Sequence, residues 1–319
     1  MEPTQSAAST AVITQQPARW ARFVDSDIFY SFRRRPGVIL SAFVVVAFVL
    51  GAVLANWVAP HNPFDLATLN LLDAFTPPAF TGKGNATYLL GTDDQGRDVL
   101  SAIIYGSRMS LLVGVIATLL AMVVGVSLGL VSGYAGGKVD AFIMRVADVQ
   151  LSFPAILIAL LVDGLARAAL PRDMHDQLAV YVLILAIAAS GWVRYARTVR
   201  GSTLVERNKE YVQAARVIGR HPLAIMFTHV LPNALGPVLV LVTLHIGEAI
   251  ITEATLSFLG VGVPATQPSL GTLIRIGNDF LFSGEWWITV FPGAALVMLV
   301  LAINVLGDWL RDALNPRLR

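Results

Sequence analysis

The sequence predicts an all-α integral membrane protein with six membrane-spanning helices and with both termini in the cytoplasm. Hydrophobic residues make up 55% of the 319 positions and charged residues only 14%, and the mean hydropathy is +0.67. A soluble domain carries roughly 25% charged residues, so little polar sequence remains for a separate catalytic domain. The net charge of +2 is too small to indicate a nucleic-acid partner, and the absence of cysteine excludes disulfides and thiolate nucleophiles.

The first predicted span covers residues 38–58, which hold no charged residue over 21 positions. At about 1.5 Å per residue, a helix of this length crosses the hydrocarbon of a bilayer. Residues 1–37 precede it as a segment that we expect in the cytoplasm. This segment is too long for a signal peptide, so we expect an uncleaved anchor.

Five further apolar runs predict the remaining spans. They cover residues 109–137, 149–162, 178–193, 232–247 with a continuation past Glu248, and 286–307. The second and third of these runs have only 14 and 16 residues, so their helices must extend into flanking charged turns, as helices inside a bundle can. Residues 107–309 thus form a five-helix core, and residues 310–319 form a cytoplasmic tail.

The distribution of Lys and Arg predicts the orientation. With the N-terminus inside, 17 of the 23 Lys and Arg residues fall in cytoplasmic segments, as the positive-inside rule requires. Seven of them lie in one loop, residues 194–232. The external connections are then residues 59–106 and 259–286.

Residues 91–98 contain the acidic side chains of a possible calcium loop. The glycine is misplaced for such a loop and no glutamate closes it. We therefore expect a turn with an Asp at a helix start, where the carboxylate accepts free amide hydrogens.

The run Gly136-Gly137-Lys138 is similar to part of a phosphate-binding loop. Val139 stands where that loop needs Ser or Thr, and the preceding glycine is one residue too close. We expect no ATP site on this chain.

Residues 210–218 of the basic loop predict a short helix, because Ala, Val, Gln and Arg favour one. Gly219 and Pro222 should end it, since glycine admits the left-handed cap and proline cannot continue the helix. The next span should begin at Pro232.

This short helix has two possible surroundings. Its small residues Ala214 and Ala215 would permit close approach of a partner's backbone. Three larger side chains could fill a groove on that partner: Tyr211, Val212 and Val217. A basic helix resting on anionic membrane lipid is the alternative, and the spacing alone favours neither.

The same stretch resembles the coupling motif of ABC-transporter permease subunits, written Glu-Ala-Ala, three residues, Gly, nine residues, Ile, one residue, Leu-Pro. The positions that match this spacing are Gln213, Ala214, Ala215, Gly219, Leu231 and Pro232. Gln213 replaces the glutamate and His229 replaces the isoleucine, while Glu210 lies one turn earlier.

From about residue 29 to residue 319, the chain is similar to the second permease subunit of dipeptide and oligopeptide importers. Separate patches carry the resemblance: residues 90–93, 96–98, 105–108, 133–140, 144–154, 256–260, 286–293 and 304–316. The resemblance implies the ABC importer permease fold in a bacterial inner membrane. It also implies a second permease chain that completes a heterodimer, two cytoplasmic ATPase subunits and an external solute-binding protein.

By this resemblance the chain is a non-catalytic subunit that binds no cofactor, because ATP and Mg²⁺ bind to the partner ATPases. The residues that would couple it to them are Glu210, Tyr211, Gln213, Ala214, Ala215, Gly219, Arg220, Leu231 and Pro232. Dipeptides or oligopeptides would pass between the two permease chains, and the external connections would receive the loaded binding protein. A membrane-embedded enzyme has no supporting motif in the sequence.

Three ionisable residues fall in or near the fifth span: His245, Glu248 and Glu253. Such groups avoid lipid. His245 and Glu248 share a helical face, so they could line the translocation path and contact a peptide amino terminus. A buried His–Glu hydrogen bond that joins this helix to a neighbour is the alternative, and we favour it. Glu253 should lie nearer the outside, in water.

Asp148 and the histidines lead to two further expectations. Asp148 should cap a helix or pair with Arg145. A permease for nickel or a nickel chelate is the alternative function, with His245, Glu248 and His229 as ligands, although nickel sites usually contain several histidines.

Overall fold

A computed structural model describes residues 27–65, 69–171, 174–264 and 266–314. Residues 1–26 of the predicted cytoplasmic segment lie outside the described residues, as do Arg172 and the last part of the tail from residue 315 on. Within the described ranges the secondary structure is helical, apart from an isolated β-bridge between Thr92 and Asp98.

The first predicted span is built from two consecutive helices. The first three helices of the described residues are α1 (Asp27–Arg33), α2 (Pro36–Val53) and α3 (Ala55–Val58). Pro36 lies in the first turn of α2, where a backbone N–H would have no partner. The surface of α2 is mostly exposed and apolar, with Phe43 at 70% exposure, as expected of a helix in contact with lipid.

The connection that follows α3 runs to Asp98 and contains two 3₁₀ turns, Leu71–Asp73 and Ala79–Thr81. The Asp98 carboxylate accepts a hydrogen bond from the Ser101 N–H at 3.0 Å, which confirms the predicted Asp at a helix start. The Arg97 guanidinium binds the buried Asp93 carboxylate at 2.6 Å. Because the next helix begins at Val99, the connection is shorter than the predicted residues 59–106.

The next three helices are α4 (Val99–Ala135), α5 (Gly137–Leu151) and α6 (Ala155–Ala169). Gly136 and Gly137 have φ values of +67° and +54°, a region that glycine adopts without steric penalty, and they separate α4 from α5. The axes of α5 and α6 are bent by 97°. Pro154, just before α6, lacks the N–H that a continuous helix would use. The predicted span 149–162 therefore crosses a bend and is not one straight helix.

Helix α7 (His175–Glu206) lies against α4 at close range. A Cβ atom on Gly129 would lie 2.4 Å from the Ala196 carbonyl oxygen, and one on Gly125 would lie 2.3 Å from the Trp192 carbonyl oxygen. Glycine at a crossing lets two helix backbones approach, which is how membrane helices pack in the absence of a hydrophobic driving force.

Helix α7 extends past the predicted span 178–193, so the basic loop that was predicted to begin at residue 194 starts as helix. Charged side chains did not end the helix, because they pair with acidic residues on neighbouring helices. The paired residues are Arg194, Arg197 and Arg200.

The chain then passes through short helices into the next span. These elements are α8 (Glu210–Val217), α9 (Pro222–Ile225), a π-helical turn (Met226–Val230), α10 (Leu231–Ala234) and α11 (Gly236–Phe258). Pro232 lies in α10, and the long span begins four residues later than predicted, at Gly236.

The last two helices are α12 (Leu270–Asn278) and α13 (Trp287–Leu314). The predicted external loop 259–286 thus contains a helix, because Leu270 and Leu273 are buried in a core with α4, α11 and α13. The Trp287 Nε1–H donates to the Thr92 carbonyl oxygen at 3.0 Å, which joins α13 to the connection before α4.

Within the described residues, five helices are long and apolar enough to cross a membrane, and the bent pair α5–α6 makes six spans when it counts as one. The five single helices are α2, α4, α7, α11 and α13. Counted in this way, the spans confirm the predicted number of six. The orientation of the termini stays a prediction.

Candidate coupling helix and translocation face

The candidate coupling helix is α8, and one of its faces is buried on this chain. Val212 is fully buried and Ala215 is 6% exposed. Both lie in a cluster with Tyr195 and Val199 of α7 and with Val230 of the π-helical turn. Val212 is therefore unavailable to fill a groove on a partner, and Ala215 faces this chain. Those two surface expectations were wrong, because an amphipathic helix of this length needs its apolar face for its own attachment.

Backbone hydrogen bonds fix the end of α8. Gly219 has φ of +83°, its N–H donates to the Arg216 carbonyl oxygen at 3.0 Å, and the Arg220 N–H donates to the Ala215 carbonyl oxygen at 3.1 Å. This is the Schellman arrangement, in which glycine supplies the left-handed residue. The predicted helix end at Gly219 is confirmed.

A polar network fixes the start of α8. The Tyr211 hydroxyl donates to the Glu206 carboxylate at the end of α7, and it accepts a hydrogen bond from Asn233 Nδ2 in α10 at 3.1 Å. Lys209 Nζ also donates to Glu206, at 2.6 Å. Burial and the hydrogen bond to Glu206 raise the pKa of the Tyr211 phenol. Tyr211 therefore links α7, α8 and α10.

The face of α8 opposite Val212 and Ala215 is exposed, and so is the C-terminal end of the helix. The exposed side chains are Glu210, Tyr211, Gln213, Ala214, Arg216, Val217 and Ile218. Val217 and Ile218 are 88% and 81% exposed, so α8 ends in an uncovered apolar tip. The remaining predicted coupling residues flank this helix.

Those flanking residues lie after α8. Arg220 is exposed, and its Nη1 lies 2.9 Å from His229 Nε2. Leu231 and Pro232 are in α10, where Leu231 is half-buried and Pro232 is exposed. The structure thus brings the motif's two halves to the same end of the bundle, through the contacts of Tyr211 with Asn233.

His245 and Glu248 both contact α7, but they do not bond to each other. The His245 Nδ1 lies 3.0 Å from the Tyr195 hydroxyl, and His245 is 6% exposed. Glu248 accepts two hydrogen bonds from the Arg194 guanidinium. The predicted hydrogen bond between His245 and Glu248 was therefore wrong. Both residues do join α11 to a neighbouring helix, as predicted.

Glu253 is fully buried, which contradicts the expected position in water. Its carboxylate accepts hydrogen bonds from the Ser110 hydroxyl of α4 at 2.8 Å and from the Ser257 hydroxyl at 2.7 Å. Ser110 also accepts from the Leu270 N–H at 3.2 Å. The cause is α12, which covers this part of α11 and replaces water around the carboxylate.

The arginines in α7 bind acidic partners that were not predicted from the sequence. Arg197 Nη2 lies 2.5 Å from Asp148, and Arg200 Nη2 lies 2.7 Å from Asp140, both on α5. The predicted pairing of Asp148 with Arg145 was therefore wrong. The signal was present as Arg residues at intervals of three, which share one helix face. Nothing in the local sequence identified α5 as the helix opposite them.

The proposed nickel ligands do not converge. His245 contacts Tyr195, Glu248 binds Arg194 and His229 contacts Arg220. Among the described residues, no group of three or more His, Cys, Asp or Glu side chains could hold a metal ion.

Comparison with protein families decides the family of the chain. The family described as "Binding-protein-dependent transport system inner membrane component" matches residues 125–319. The chain belongs to this family. A second description, "N-terminal TM domain of oligopeptide transport permease C", matches residues 26–78 of this inner membrane component.

Named relatives cover almost the whole chain. The protein is 40% identical to the dipeptide transport system permease protein DppC of Escherichia coli over 92% of this chain and 93% of the relative. It is 38% identical to DppC of Haemophilus influenzae, over 92% and 95%. It is 34% identical to the oligopeptide transport system permease protein OppC of Bacillus subtilis, over 99% and 97%.

A solved structure shares the fold. A structure of the inward-facing MetNI methionine ABC transporter matches with a TM-score of 0.53 at 18% identity, over 67% of this chain and 96% of that one. The inner membrane component is thus a multi-pass helical permease with the ABC importer fold.

Proposed function

We propose that the protein is the permease subunit of an ATP-driven importer of dipeptides or oligopeptides. Relatives over 92% or more of the chain are named dipeptide and oligopeptide permeases. Each of the three candidate nickel ligands contacts another side chain, which favours a peptide over nickel as the substrate. In this proposal the chain is non-catalytic, and ATP and Mg²⁺ bind to two partner ATPase subunits.

The observation that carries the mechanism is the division of α8 into an attached face and an exposed tip. Val212 and Ala215 are buried on the chain, whereas Val217 and Ile218 are exposed. A short helix with an uncovered apolar end suits insertion into a groove on a partner. We assign that groove to an ATPase subunit.

The anchoring of α8 explains how movement would be transmitted. Tyr211 bonds to Glu206 at the end of α7 and to Asn233 in α10, which leads into α11. Displacement of α8 by nucleotide-driven closure would therefore move two spans together, and alternating access needs such rigid-body movement. Ala215 acts in this mechanism by holding α8 in place, and Gly219 by setting its end.

The substrate would pass between this chain and a second permease chain, past Glu248, whereas the buried His245 packs behind Glu248 against Tyr195. An external solute-binding protein would deliver it to the connections before α4 and around α12. Glu253, which is enclosed by hydrogen bonds to Ser110 and Ser257, holds α4 and α11 together instead of facing the path.

Uptake in a strain that lacks this chain tests the substrate class. We expect loss of labelled dipeptide and tripeptide uptake, restored by the chain supplied in trans, with nickel uptake unchanged. Loss of nickel uptake with intact peptide uptake would contradict the proposal.

Docking is tested separately by co-purification of the ATPase subunits. Val217→Asp and Ile218→Asp place a charge on the exposed tip, where folding tolerates it, and should reduce the recovered ATPase about tenfold or more. Phe282→Asp, at a 97% exposed position before α13, is the control. Full recovery of ATPase with both tip variants would exclude docking through α8.

A further inference from the structure

The Arg194–Glu248 pair lies at mid-length on two spanning helices and is open to its surroundings. Arg194 lies 12 residues before the end of α7, and Glu248 lies 12 residues after the start of α11. Helix α11 has 23 residues and is about 35 Å long at 1.5 Å per residue, so Glu248, and with it the bonded Arg194, lies near the middle of a hydrocarbon layer of about 30 Å. The two side chains are nevertheless 47% and 44% exposed.

Lipid cannot be what covers this pair. Ionisable groups at this depth face the bundle interior, a water-filled cavity or another polar surface. The surfaces of other spans show what a lipid-facing side looks like here: Phe43 of α2, Leu119 and Val123 of α4, and Val297 and Leu301 of α13 are all exposed and apolar.

Partly exposed polar residues lie near the pair along both helices, with Ile251 of α11 exposed among them. On α7, Ser190, Arg194 and Thr198 recur every four residues, and on α11, Glu248 is followed by Thr252 and Thr255. Residues at this spacing share one helix face. None of the six is fully buried. We call these six residues the polar stripe.

The inner side of the same α7–α11 contact is closed. Tyr195 is 1% exposed and His245 is 6% exposed, and a Cβ atom on Gly191 would lie 2.4 Å from the His245 ring. The helices are thus packed behind the pair, and the pair is held at the rim with its open side away from the bundle.

We propose that the polar stripe lines the translocation path and that Arg194 and Glu248 recognise the two charged ends of a free peptide. This inference rests on the proposed function. The pair closes on itself when the path is empty, because two unpartnered charges at this depth are unfavourable. A peptide offers an ammonium to Glu248 and a carboxylate to Arg194, so it replaces one ion pair by two and opens the contact.

The chemistry selects for a molecule with both charges. An amine alone leaves the Arg194 guanidinium without a partner, and an acid alone leaves the Glu248 carboxylate without one. An unpartnered charge at this depth in the membrane is unfavourable. Arg194 suits the carboxylate end, since its planar guanidinium binds carboxylates through two parallel hydrogen bonds.

Neutral variants separate recognition from simple helix packing. Arg194→Gln and Glu248→Gln should each lower uptake of a labelled dipeptide by about tenfold or more, the range expected for a lost hydrogen bond to a charged group. A purely structural pair would be largely restored in the double variant, where no charge is left unpartnered. Recognition predicts that the double variant stays as low as the single ones.

The control removes the next arginine along α7. Arg197→Gln breaks an ion pair of similar exposure, 48% and 55% for its two members, outside the polar stripe. Its uptake should remain within about twofold of the unchanged protein, since exposed pairs contribute little. Recovery of uptake in the Arg194→Gln/Glu248→Gln double variant, or an equal loss with Arg197→Gln, would overturn the proposal.

A second measurement does not depend on the substrate or on the stability of the charge variants. The chain has no cysteine, so Thr252→Cys introduces a single thiol into it. In the assembled complex, a charged, membrane-impermeant thiol reagent should label this cysteine. The control Val297→Cys, at a 65% exposed position on α13, should stay unlabelled.

Equal resistance of both cysteines would place the polar stripe outside any water-filled path and overturn the inference, even if peptide uptake is confirmed. Conversely, labelling of Thr252→Cys in a protein that takes up nickel and no peptide would contradict the proposed substrate while leaving the path where we place it.

Discussion

The crossing of α4 and α7 allows a sharp test of the packing, since glycine variants at two kinds of site should change stability in opposite directions. A Cβ atom on Gly129 would lie 2.4 Å from the Ala196 carbonyl oxygen and 2.9 Å from the Ala196 Cα. Ordinary carbon contacts need at least about 3.5 Å, and neither of these atoms belongs to a movable side chain. Gly129→Ala must therefore push the two helices apart by about 1 Å.

The size of the effect follows from two opposing contributions. Overpacking of this kind destabilises by about 1–3 kcal/mol. Alanine favours a helix over glycine by about 1 kcal/mol, which offsets part of the loss. We expect Gly129→Ala to lower the free energy of unfolding by up to about 2 kcal/mol.

Gly164 in α6 is the matched control, because a Cβ atom there would meet nothing within 4 Å. Gly164→Ala should stabilise by up to about 1 kcal/mol. The assay is the melting temperature of the detergent-solubilised protein, followed by loss of the monodisperse peak in size-exclusion chromatography. If Gly129→Ala melts at or above the temperature of Gly164→Ala, the close crossing of α4 and α7 is refuted.

Two further predictions concern buried groups. Glu253→Ala should lower the free energy of unfolding by about 2–5 kcal/mol, because it leaves the Ser110 and Ser257 hydroxyls without their acceptor in a buried site. Glu253→Gln should lower it by less. Equal melting temperatures for both variants and the unchanged protein would contradict the hydrogen-bonded role of Glu253. Val212→Asp should abolish stable expression, since it buries an unpaired charge, whereas Val217→Asp should express normally. The fluorescence of a C-terminal fusion protein measures both expression levels. A normal yield of the Val212→Asp variant would show that α8 does not pack as described.

Much of the fold was accessible from the sequence because a bilayer imposes a simple requirement. A span needs about 20 residues without charge, and the run 38–58 could be recognised by that property alone. The end of α8 was equally accessible, since Gly219 acts through local backbone geometry. Helix count and local caps depend on nearby residues, so the sequence displays them.

The limits of helices inside the bundle depend on distant residues. The short run 178–193 predicted a helix that extends into the charged turn at Arg194, as it does, but not the partner that makes this possible, Glu248, which lies 54 positions along the chain. Glu253 was placed in water because its cover, α12, comes from a segment expected to be a loop. In both cases the deciding partner is brought close only by folding.

The candidate site divides in the same way. Periodicity placed His245 and Glu248 on one face, and that face does meet α7. Periodicity could not show that His245 and Glu248 would bind Tyr195 and Arg194. Nor could it show that Val212 attaches α8 to the rest of the chain. Assignment of partners requires the packing of helices, which a single sequence does not specify.

The length of α4 has a consequence for how the two sides of the membrane communicate. Its 37 residues make a rod of about 55 Å at 1.5 Å per residue. Even a tilt of about 40° leaves roughly 42 Å along the membrane normal, more than the hydrocarbon of about 30 Å. At least one end of the rod extends past the hydrocarbon layer, so any rocking of α4 swings that end sideways at the membrane surface, where a docked protein would be displaced with it.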